Sequence, residues 1–253
     1  MSVSAEYHPI ETGCRSTVTI SGGLALKTTL AELDPISAAH MATSLQTYAD
    51  QLAGEPIAVA PLRDVRLVLT ERGNFRVWHS MDAVSGQSIL RLPEDERRVA
   101  ITEIVRSICA MSVLRGTDTL GVPIDASAKN WHMDGATPTL IDISPPLARD
   151  AAGVMPLVEL PSNQAYWEMR YGTVHGVIAG LLYSSLNVGN QSVSPLARIR
   201  HLLGKSEEWC YDTLPPDMSP LARRQVEHQI RLRFAPLTAR TIIRVARTKL
   251  SGV

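Results

Sequence analysis

The chain has 253 residues, of which 45% are hydrophobic and 20% charged, and its formal net charge at pH 7 is zero. This balance is typical of a globular protein with a sizeable core, and it excludes an extensively disordered chain. A net charge of zero points to neither nucleic acid nor an anionic membrane as a partner, and no apolar run reaches the roughly 18 residues of a membrane span.

Cysteine usage and the N-terminal sequence predict a cytoplasmic protein. Cys14, Cys109 and Cys210 stand far apart in the chain and form neither a metal-ligand motif nor a disulfide framework. The first residues contain no basic start followed by an apolar segment, so we expect no export signal. Basic residues are mostly arginine, 21 Arg against four Lys, which makes each lysine position informative.

The first quarter of the chain predicts two strands and a helix. Apolar residues around Gly22-Gly23 predict a hairpin of strands 17–20 and 24–28, with Lys27 in the second strand. Asp34 as a cap and the proline after it predict a helix over 35–52. Its loose apolar stripe consists of Ile36, Ala39, His40, Thr43, Leu45 and Leu52.

A second hairpin and a hinge follow. Runs 65–69 and 75–79 are rich in β-forming residues and flank a polar turn, which predicts two more strands. Residues 80–88 are small and polar, which is typical of a connection between two lobes. We therefore expect an N-terminal β lobe with one helix over residues 1–82 and a helical C-terminal lobe over residues 83–253.

The remainder of the chain predicts mainly helices. The clearest is 93–114, whose acidic start suits the positive end of a helix dipole. Its predicted core face consists of Val99, Ile101, Ile104, Val105, Ile108, Val113 and Leu114. A second long helix is predicted over 165–186, followed by a polar loop at 187–195 and about three shorter helices, the last over 237–250.

Between the two long helices lies a stretch that combines three polar side chains with a tight turn. Asp125 precedes Asn130 by five residues, and apolar runs 131–133 and 140–141 flank Asp134-Gly135. Glycine accepts a positive φ without steric cost, so this dipeptide predicts a hairpin. The hairpin would bring Asn130 and Asp142 together at one end, with Asp125 on the loop before it.

This order of residues resembles the catalytic core of the protein-kinase-like superfamily, and especially its aminoglycoside-phosphotransferase branch. There an Asp-x-x-x-x-Asn loop is followed by a short hairpin and a metal-binding Asp. The resemblance implies an α+β, two-lobed kinase-like fold, with a small antiparallel β lobe and a larger, mostly helical lobe. The chain departs from the family in two ways. It lacks an evident glycine-rich loop, and it has Pro123 two residues before Asp125, where the family has a histidine.

The resemblance also implies a role for each site residue. Asp125 would orient the attacking hydroxyl, and the neighbouring Lys129 would steady the transferred phosphate. Asn130 and Asp142 would hold Mg²⁺, a cation that prefers oxygen ligands.

On the nucleotide side, the resemblance implies that Lys27 clamps the ATP phosphates and that Met81 packs on the base. The helix over 35–52 contains no glutamate, so either Asp50 or Glu32 before the helix steadies Lys27, or no carboxylate does.

Three functional hypotheses follow. The first is an ATP- and Mg²⁺-dependent phosphotransferase acting on a small-molecule hydroxyl, in natural-product biosynthesis or antibiotic resistance. The second is a related enzyme that phosphorylates Ser or Thr of a precursor peptide for elimination by a partner lyase. The third is a degenerate kinase-like protein that binds a partner without chemistry. The sequence does not predict an oligomeric state.

Two other kinds of site are less well supported. His132 and Asp134 beside Asp142 would make a transition-metal site, but hairpin alternation directs 132 and 134 away from its metal-binding end. A serine hydrolase would need a Gly-x-Ser-x-Gly motif, which the sequence lacks.

Overall fold

The computed structural model describes residues 16–113, 118–143, 148–150, 153–155, 164–186 and 195–234. These residues form an α+β protein with an antiparallel sheet and six helices. The strands are β1 (Ser16–Ser21), β2 (Leu24–Thr29), β3 (Ala58–Val59), β4 (Leu62–Leu69), β5 (Phe75–Asp82), β6 (Trp131–Asp134), β7 (Thr137–Leu140), β8 (Ala148–Asp150) and β9 (Gly153–Met155). The helices are α1 (Pro35–Ala53), α2 (Glu94–Val113), α3 (Gln164–Gly172), α4 (Val174–Leu186), α5 (Pro195–Thr213) and α6 (220–234).

The N-terminal sheet has four antiparallel strands in the order β1-β2-β5-β4. Both predicted hairpins are confirmed, and the first turns through Gly22 and Gly23, whose φ angles are 58° and 78°. The second hairpin is longer than predicted because its strands reach back to Leu62 and forward to Asp82. In the central pair of strands, Lys27 of β2 lies opposite His79 of β5.

A second, three-stranded sheet joins the two halves of the chain. Its order is β3-β7-β6, in which β3 runs parallel to β7 and β6 runs antiparallel to it. The two residues of β3 come from the connection between α1 and β4, and they pair with Thr139 and Leu140 of the hairpin. The hairpin that carries the Asn130 and Asp142 positions is therefore attached directly to the N-terminal part of the chain.

Helix α1 begins as predicted, and two positions of its predicted apolar stripe, Leu45 and Leu52, are buried. The Asp34 side chain accepts hydrogen bonds from the backbone N–H groups of Ile36 and Ser37, which fixes the start of the helix. Ile36, predicted on the apolar stripe, is 83% exposed. The prediction for Ile36 was wrong, because the first turn of the helix is exposed and burial begins at Ala38. The buried positions are Ala38, Leu45, Tyr48 and Leu52.

The main hydrophobic core lies among α2, α4, the β6–β7 hairpin and the end of α1, and it contains residues from both sides of the 82/83 boundary. A smaller cluster, of Ala38, Leu45 and Val77, lies between α1 and the N-terminal sheet. Val99 was predicted in the core face of α2 and is 65% exposed, so that prediction was wrong. Four other residues predicted on the same face are fully buried, and that part of the prediction is confirmed: Ile101, Ile104, Val105 and Ile108.

The predicted helix 165–186 is two helices, because Thr173 interrupts it. The Thr173 hydroxyl donates to the Met169 carbonyl and accepts from the backbone N–H of Gly176, so it closes α3 and opens α4. Thr173 also forms a β-bridge with Thr119. The predicted helix 237–250 and most of the predicted loop 187–195 lie outside the described residues. None of the helices described carries an apolar stretch that could span a bilayer.

Candidate functional site

The β6–β7 hairpin brings Asn130 to the end of the chain segment that leads into Asp142. Gly135 makes the turn with a φ of 59°, and Trp131 lies opposite Leu140. One residue further out, the backbone N–H of Ile141 donates to the Asn130 carbonyl at 2.8 Å. The predicted hairpin is confirmed.

Asn130 is tied to the loop that carries Asp125. Its side chain is buried, and its Nδ2 donates to the Asp125 carbonyl at 2.9 Å. Because only the amide nitrogen can donate to a carbonyl, this bond fixes the orientation of the amide. The Oδ1 of Asn130 is then the atom that can act as a cation ligand.

Lys27 joins the N-terminal sheet to this hairpin. The side chain is buried, and its Nζ donates to the Ile141 carbonyl at 2.9 Å and lies 3.3 Å from Asp142 Oδ1. Asp142 is 33% exposed, so this carboxylate is open to solvent on one side. The structure therefore brings together the predicted Lys27, from the N-terminal sheet, and three predicted residues from the middle of the chain, Asp125, Asn130 and Asp142.

The two acidic residues expected to steady Lys27 lie elsewhere. Asp50 is on the exposed face of α1 and accepts a hydrogen bond from Gln46, one turn before it. Glu32 accepts from Thr70, in the turn between β4 and β5, and from Arg76 of β5. The expectation that Asp50 assists Lys27 was wrong, because the face of α1 directed at the site carries Tyr48 instead.

Tyr48 is a site residue that the sequence did not reveal. Its buried hydroxyl donates to the Pro123 carbonyl at 2.7 Å, which connects α1 to the loop before Asp125. Burial, followed by the negative charges of Asp142 and Asp125, raises the pKa of Tyr48 well above its usual value. The hydroxyl therefore stays protonated and remains a donor. The signal in the sequence is its spacing from Leu45 and Leu52 on one helix face.

His79 is a second residue that was missed, and it lies beside Lys27 in the sheet. It is 4% exposed, and neither ring nitrogen has a hydrogen-bond partner within the described part of the chain. Burial, followed by the positive charge of Lys27, lowers the pKa of His79 to about 4. A neutral imidazole thus lies next to the ammonium group of Lys27.

Of the two remaining predicted site residues, Met81 is buried in the hydrophobic core and Lys129 is exposed. Met81 is 1% exposed and belongs to the main hydrophobic core, so its side chain is a packing element in this structure. Lys129 is exposed at the end of the short 3-10 turn Ala128–Asn130. Its positive charge acts to lower the pKa of Asp125.

Asp125 has the electrostatic character of a proton acceptor. Burial raises the pKa of its carboxyl, and the negative charge of Asp142 adds to the rise. The hydrogen bond that Asp125 Oδ1 accepts from the Ser127 backbone N–H, at 3.2 Å, acts in the opposite direction, as does the positive charge of Arg170. A carboxylate with a raised pKa is a stronger base, which suits removal of a proton from a hydroxyl group.

The donor set fits a magnesium ion better than a transition metal. Asn130 Oδ1 and the Asp142 carboxylate are hard oxygen ligands, and Mg²⁺ is usually held by one or two such groups together with substrate phosphates. No group of three His, Cys, Asp or Glu side chains within the described ranges is arranged to hold a metal ion. His132 and Asp134 are on β6, where Asp134 is exposed at the turn.

The connection after β5 packs tightly on the hairpin. The backbone N–H of Met133 donates to the Gln87 carbonyl at 3.0 Å, and Ser88 forms a β-bridge with His132. A Cβ atom on Gly86 would lie 1.5 Å from the Met133 carbonyl oxygen, so only glycine fits here. The predicted hinge is thus held against β6 along its second half.

Comparison with known proteins gives no family for this chain: no protein-family model matches it, and a search of curated proteins returns no match.

Proposed function

We propose that this protein is an ATP- and Mg²⁺-dependent phosphotransferase with a kinase-like fold that acts on a hydroxyl group of a small molecule. Natural-product modification or antibiotic resistance is the setting that we expect. The observation that carries the proposal is the meeting of Lys27, on the N-terminal sheet, with Asp142, next to Asn130 and Asp125. One ammonium group, two oxygen ligands and one base are the minimum that phosphoryl transfer requires.

Each side chain has a role that its position supports. Lys27 is held on a strand, and its ammonium group suits binding of phosphate oxygens. Asn130 Oδ1 and the partly exposed Asp142 carboxylate suit binding of Mg²⁺. When bound with its metal ion, ATP supplies the phosphoryl group. Asp125 accepts the proton of the acceptor hydroxyl as the acceptor oxygen bonds to phosphorus and the bond from phosphorus to the bridging oxygen breaks.

The ion pair between Lys27 and Asp142 bears directly on this proposal. The Asp142 carboxylate has the ammonium group of Lys27 as a partner at 3.3 Å. A divalent cation at Asp142 would compete with Lys27 for the same oxygen, and phosphate oxygens would compete for Lys27. We therefore expect metal and nucleotide to bind together. The metal ion would replace Lys27 as the partner of Asp142, and the phosphate oxygens would replace Asp142 as the partner of Lys27.

The proposed role of Asp125 is tested by separating binding from turnover. ADP release from Mg²⁺ and ATP is measured with a pool of hydroxyl compounds as acceptors, for the wild type and for Asp125→Asn. General-base assistance is worth about 10²–10⁴-fold, so the variant should lose that much rate. Its nucleotide affinity should be unchanged. Equal rates in the two proteins would remove Asp125 from the mechanism.

A second candidate function is binding without catalysis, and two observations favour it. Met81, expected against the base, belongs to the hydrophobic core, and no carboxylate of α1 accompanies Lys27. In such a protein the pair of Lys27 and Asp142 would only join the two halves of the chain. This reading predicts that neither ATP nor ATP with Mg²⁺ binds, which a nucleotide titration decides.

A further inference from the structure

A cavity of about 120 Å³ lies against the Asp125 loop. Residues 124–127 form one wall, and α3, α4 and α6 form the others. Its polar lining residues include Asp125, Ser127, Arg170, Tyr171, Tyr183 and Arg233. None of Lys27, Asn130 and Asp142 lines it, so it borders Asp125 without overlapping the proposed metal and phosphate ligands. A cavity of roughly 150 Å³ admits a molecule the size of benzene, so this one has room for a small functional group.

Positive charge dominates the lining. Asp125 is the one acidic residue among the lining residues that the structure describes, whereas Arg170 and Arg233 are both basic. The positive charge of Arg170 acts to lower the pKa of the Asp125 carboxyl, against the rise that burial causes. A guanidinium group presents several N–H donors in one plane, which matches the paired oxygens of a carboxylate or phosphate group.

The two arginines are held in place by their surroundings. One terminal nitrogen of Arg233 donates to the Gly176 carbonyl at 2.9 Å. The same guanidinium lies over Gly180, 3.4–3.6 Å from where a Cβ atom would stand. The Arg170 guanidinium lies 5.1 Å from the centre of the Tyr171 ring. Two positioned cations lose little freedom on binding an anion, which favours affinity.

The opposite wall is also fixed to the loop. Ser184 accepts a hydrogen bond from the Ala128 backbone N–H at 2.8 Å, which ties α4 to the Asp125 loop. The Tyr183 ring packs on Phe234 with ring centres 4.8 Å apart, which ties α4 to α6. The cavity therefore keeps its shape relative to Asp125.

We propose that this cavity binds an anionic group, a carboxylate or phosphate, of the acceptor whose hydroxyl reaches Asp125. The proposal rests on the proposed phosphotransferase function and adds the class of its acceptor. A small hydroxy acid and an acidic peptide share this chemistry. An acceptor that is rich in amino groups meets two like charges here and is disfavoured.

The test measures direct binding of small probes in the absence of nucleotide, and ligand-observed NMR gives their Kd values. The probes are N-acetylserine, its uncharged amide N-acetylserinamide, and the cationic serinamide. Charge-assisted hydrogen bonds to the arginines should make the Kd of N-acetylserine about tenfold lower than that of the amide. Serinamide should bind most weakly. Equal Kd values for the three probes, or no binding by N-acetylserine, would overturn the proposal.

Two variants assign the effect to the cavity. Arg170→Gln should raise the Kd of N-acetylserine to that of the amide, whereas Arg106→Gln removes the same charge from an exposed site on α2 and should leave it unchanged. Arg233→Lys keeps the charge but removes the planar donor group, so it should give an intermediate Kd. An unchanged Kd in Arg170→Gln would contradict the proposal.

Two peptides distinguish the sources of the anion. One has serine between glutamates and the other has serine between glutamines. Tighter binding of the glutamate peptide than of N-acetylserine favours an acidic peptide as acceptor, and the reverse favours a small hydroxy acid. Because these titrations contain no ATP, they are independent of the phosphotransferase test. Failure to bind ATP would sink the proposed function, whereas failure of the probes to discriminate would sink only the anionic acceptor.

Discussion

Lys27 Nζ lies 3.3 Å from Asp142 Oδ1 and 2.9 Å from the Ile141 carbonyl oxygen, so a single ammonium group connects the N-terminal sheet to the end of the β6–β7 hairpin. The side chain of Lys27 is 9% exposed and that of Asp142 is 33% exposed. The desolvated lysine therefore depends on these two partners.

Replacing Lys27 by Met should lower the free energy of unfolding by about 1–3 kcal/mol, because hydrogen bonds to a charged group are lost inside the protein. Urea denaturation at pH 7 measures the loss. Arg63→Met is the matched control, since Arg63 pairs with Asp82 at a site where the two side chains are 56% and 36% exposed. The control should change stability much less. Equal losses in the two variants would show that the Lys27 contact is not special.

The hydrogen bond from Tyr48 to Pro123 should be worth about 1–2 kcal/mol, because Tyr48→Phe leaves a carbonyl without its buried donor. The ring itself is retained, so packing of α1 is preserved. Tyr211 is 82% exposed, and Tyr211→Phe should be neutral. Urea denaturation of both variants checks this prediction. A neutral Tyr48→Phe would mean that α1 does not hold the Asp125 loop.

His79 should make stability depend on pH between about 6.5 and 4. Its pKa in the folded protein is about 4, below the usual value of 6.5, so the unfolded chain binds more protons in this window. The stabilisation is complete above pH 6.5 and is lost as the pH falls toward 4, with a slope of up to about 1.4 kcal/mol per pH unit.

Replacing His79 by Leu should remove this slope while leaving stability above pH 7 equal or higher, because a buried imidazole without partners gives way to an apolar group. The measurement is urea denaturation at a series of pH values for the wild type and the variant. His201→Gln, at an exposed position, is the control and should keep the wild-type slope. An unchanged slope in His79→Leu would contradict the assignment.

Gly86→Ala should destabilise the protein by about 1–3 kcal/mol, because the added methyl group meets backbone rather than a side chain that can rotate. The Cβ atom would lie 1.5 Å from the Met133 carbonyl oxygen. Gly204→Ala is the matched control on α5, where no atom lies within 4 Å of the added Cβ. It should stabilise by about 1 kcal/mol through helix propensity. Opposite signs in urea denaturation confirm the close approach, and equal effects would exclude it.

Local patterns in the sequence predicted most elements of the fold. The first hairpin turns through two glycines with positive φ, Gly22 and Gly23, and the second turns through one such glycine, Gly135. Both could be predicted because the geometry of a tight turn depends on residues that are neighbours in sequence. Helix α1 follows from its Asp34 cap. The break at Thr173 was missed, because a threonine within an apolar run interrupts a helix only when its hydroxyl finds backbone partners.

Long-range relationships were harder to predict. The sequence placed Asp125, Asn130 and Asp142 together for two reasons. Asn130 follows Asp125 by only five residues, and one predicted hairpin joins Asn130 to Asp142. Tyr48 and His79 were missed, since their roles depend on contacts with Pro123 and Lys27, at separations that periodicity does not report. Asp50 was chosen for its charge, but the helix face that points to the site is decided by packing of Leu45 and Leu52.

The central claim is that Lys27 and Asp142 form one site for ATP and Mg²⁺, and calorimetric titration tests it most directly. ATP is titrated into the wild type with and without Mg²⁺, and the same titrations are made with Asp142→Asn. We predict that Mg²⁺ strengthens ATP binding to the wild type and no longer does so in the variant. Absence of binding by the wild type under both conditions, or equal dependence on Mg²⁺ in the two proteins, would contradict it.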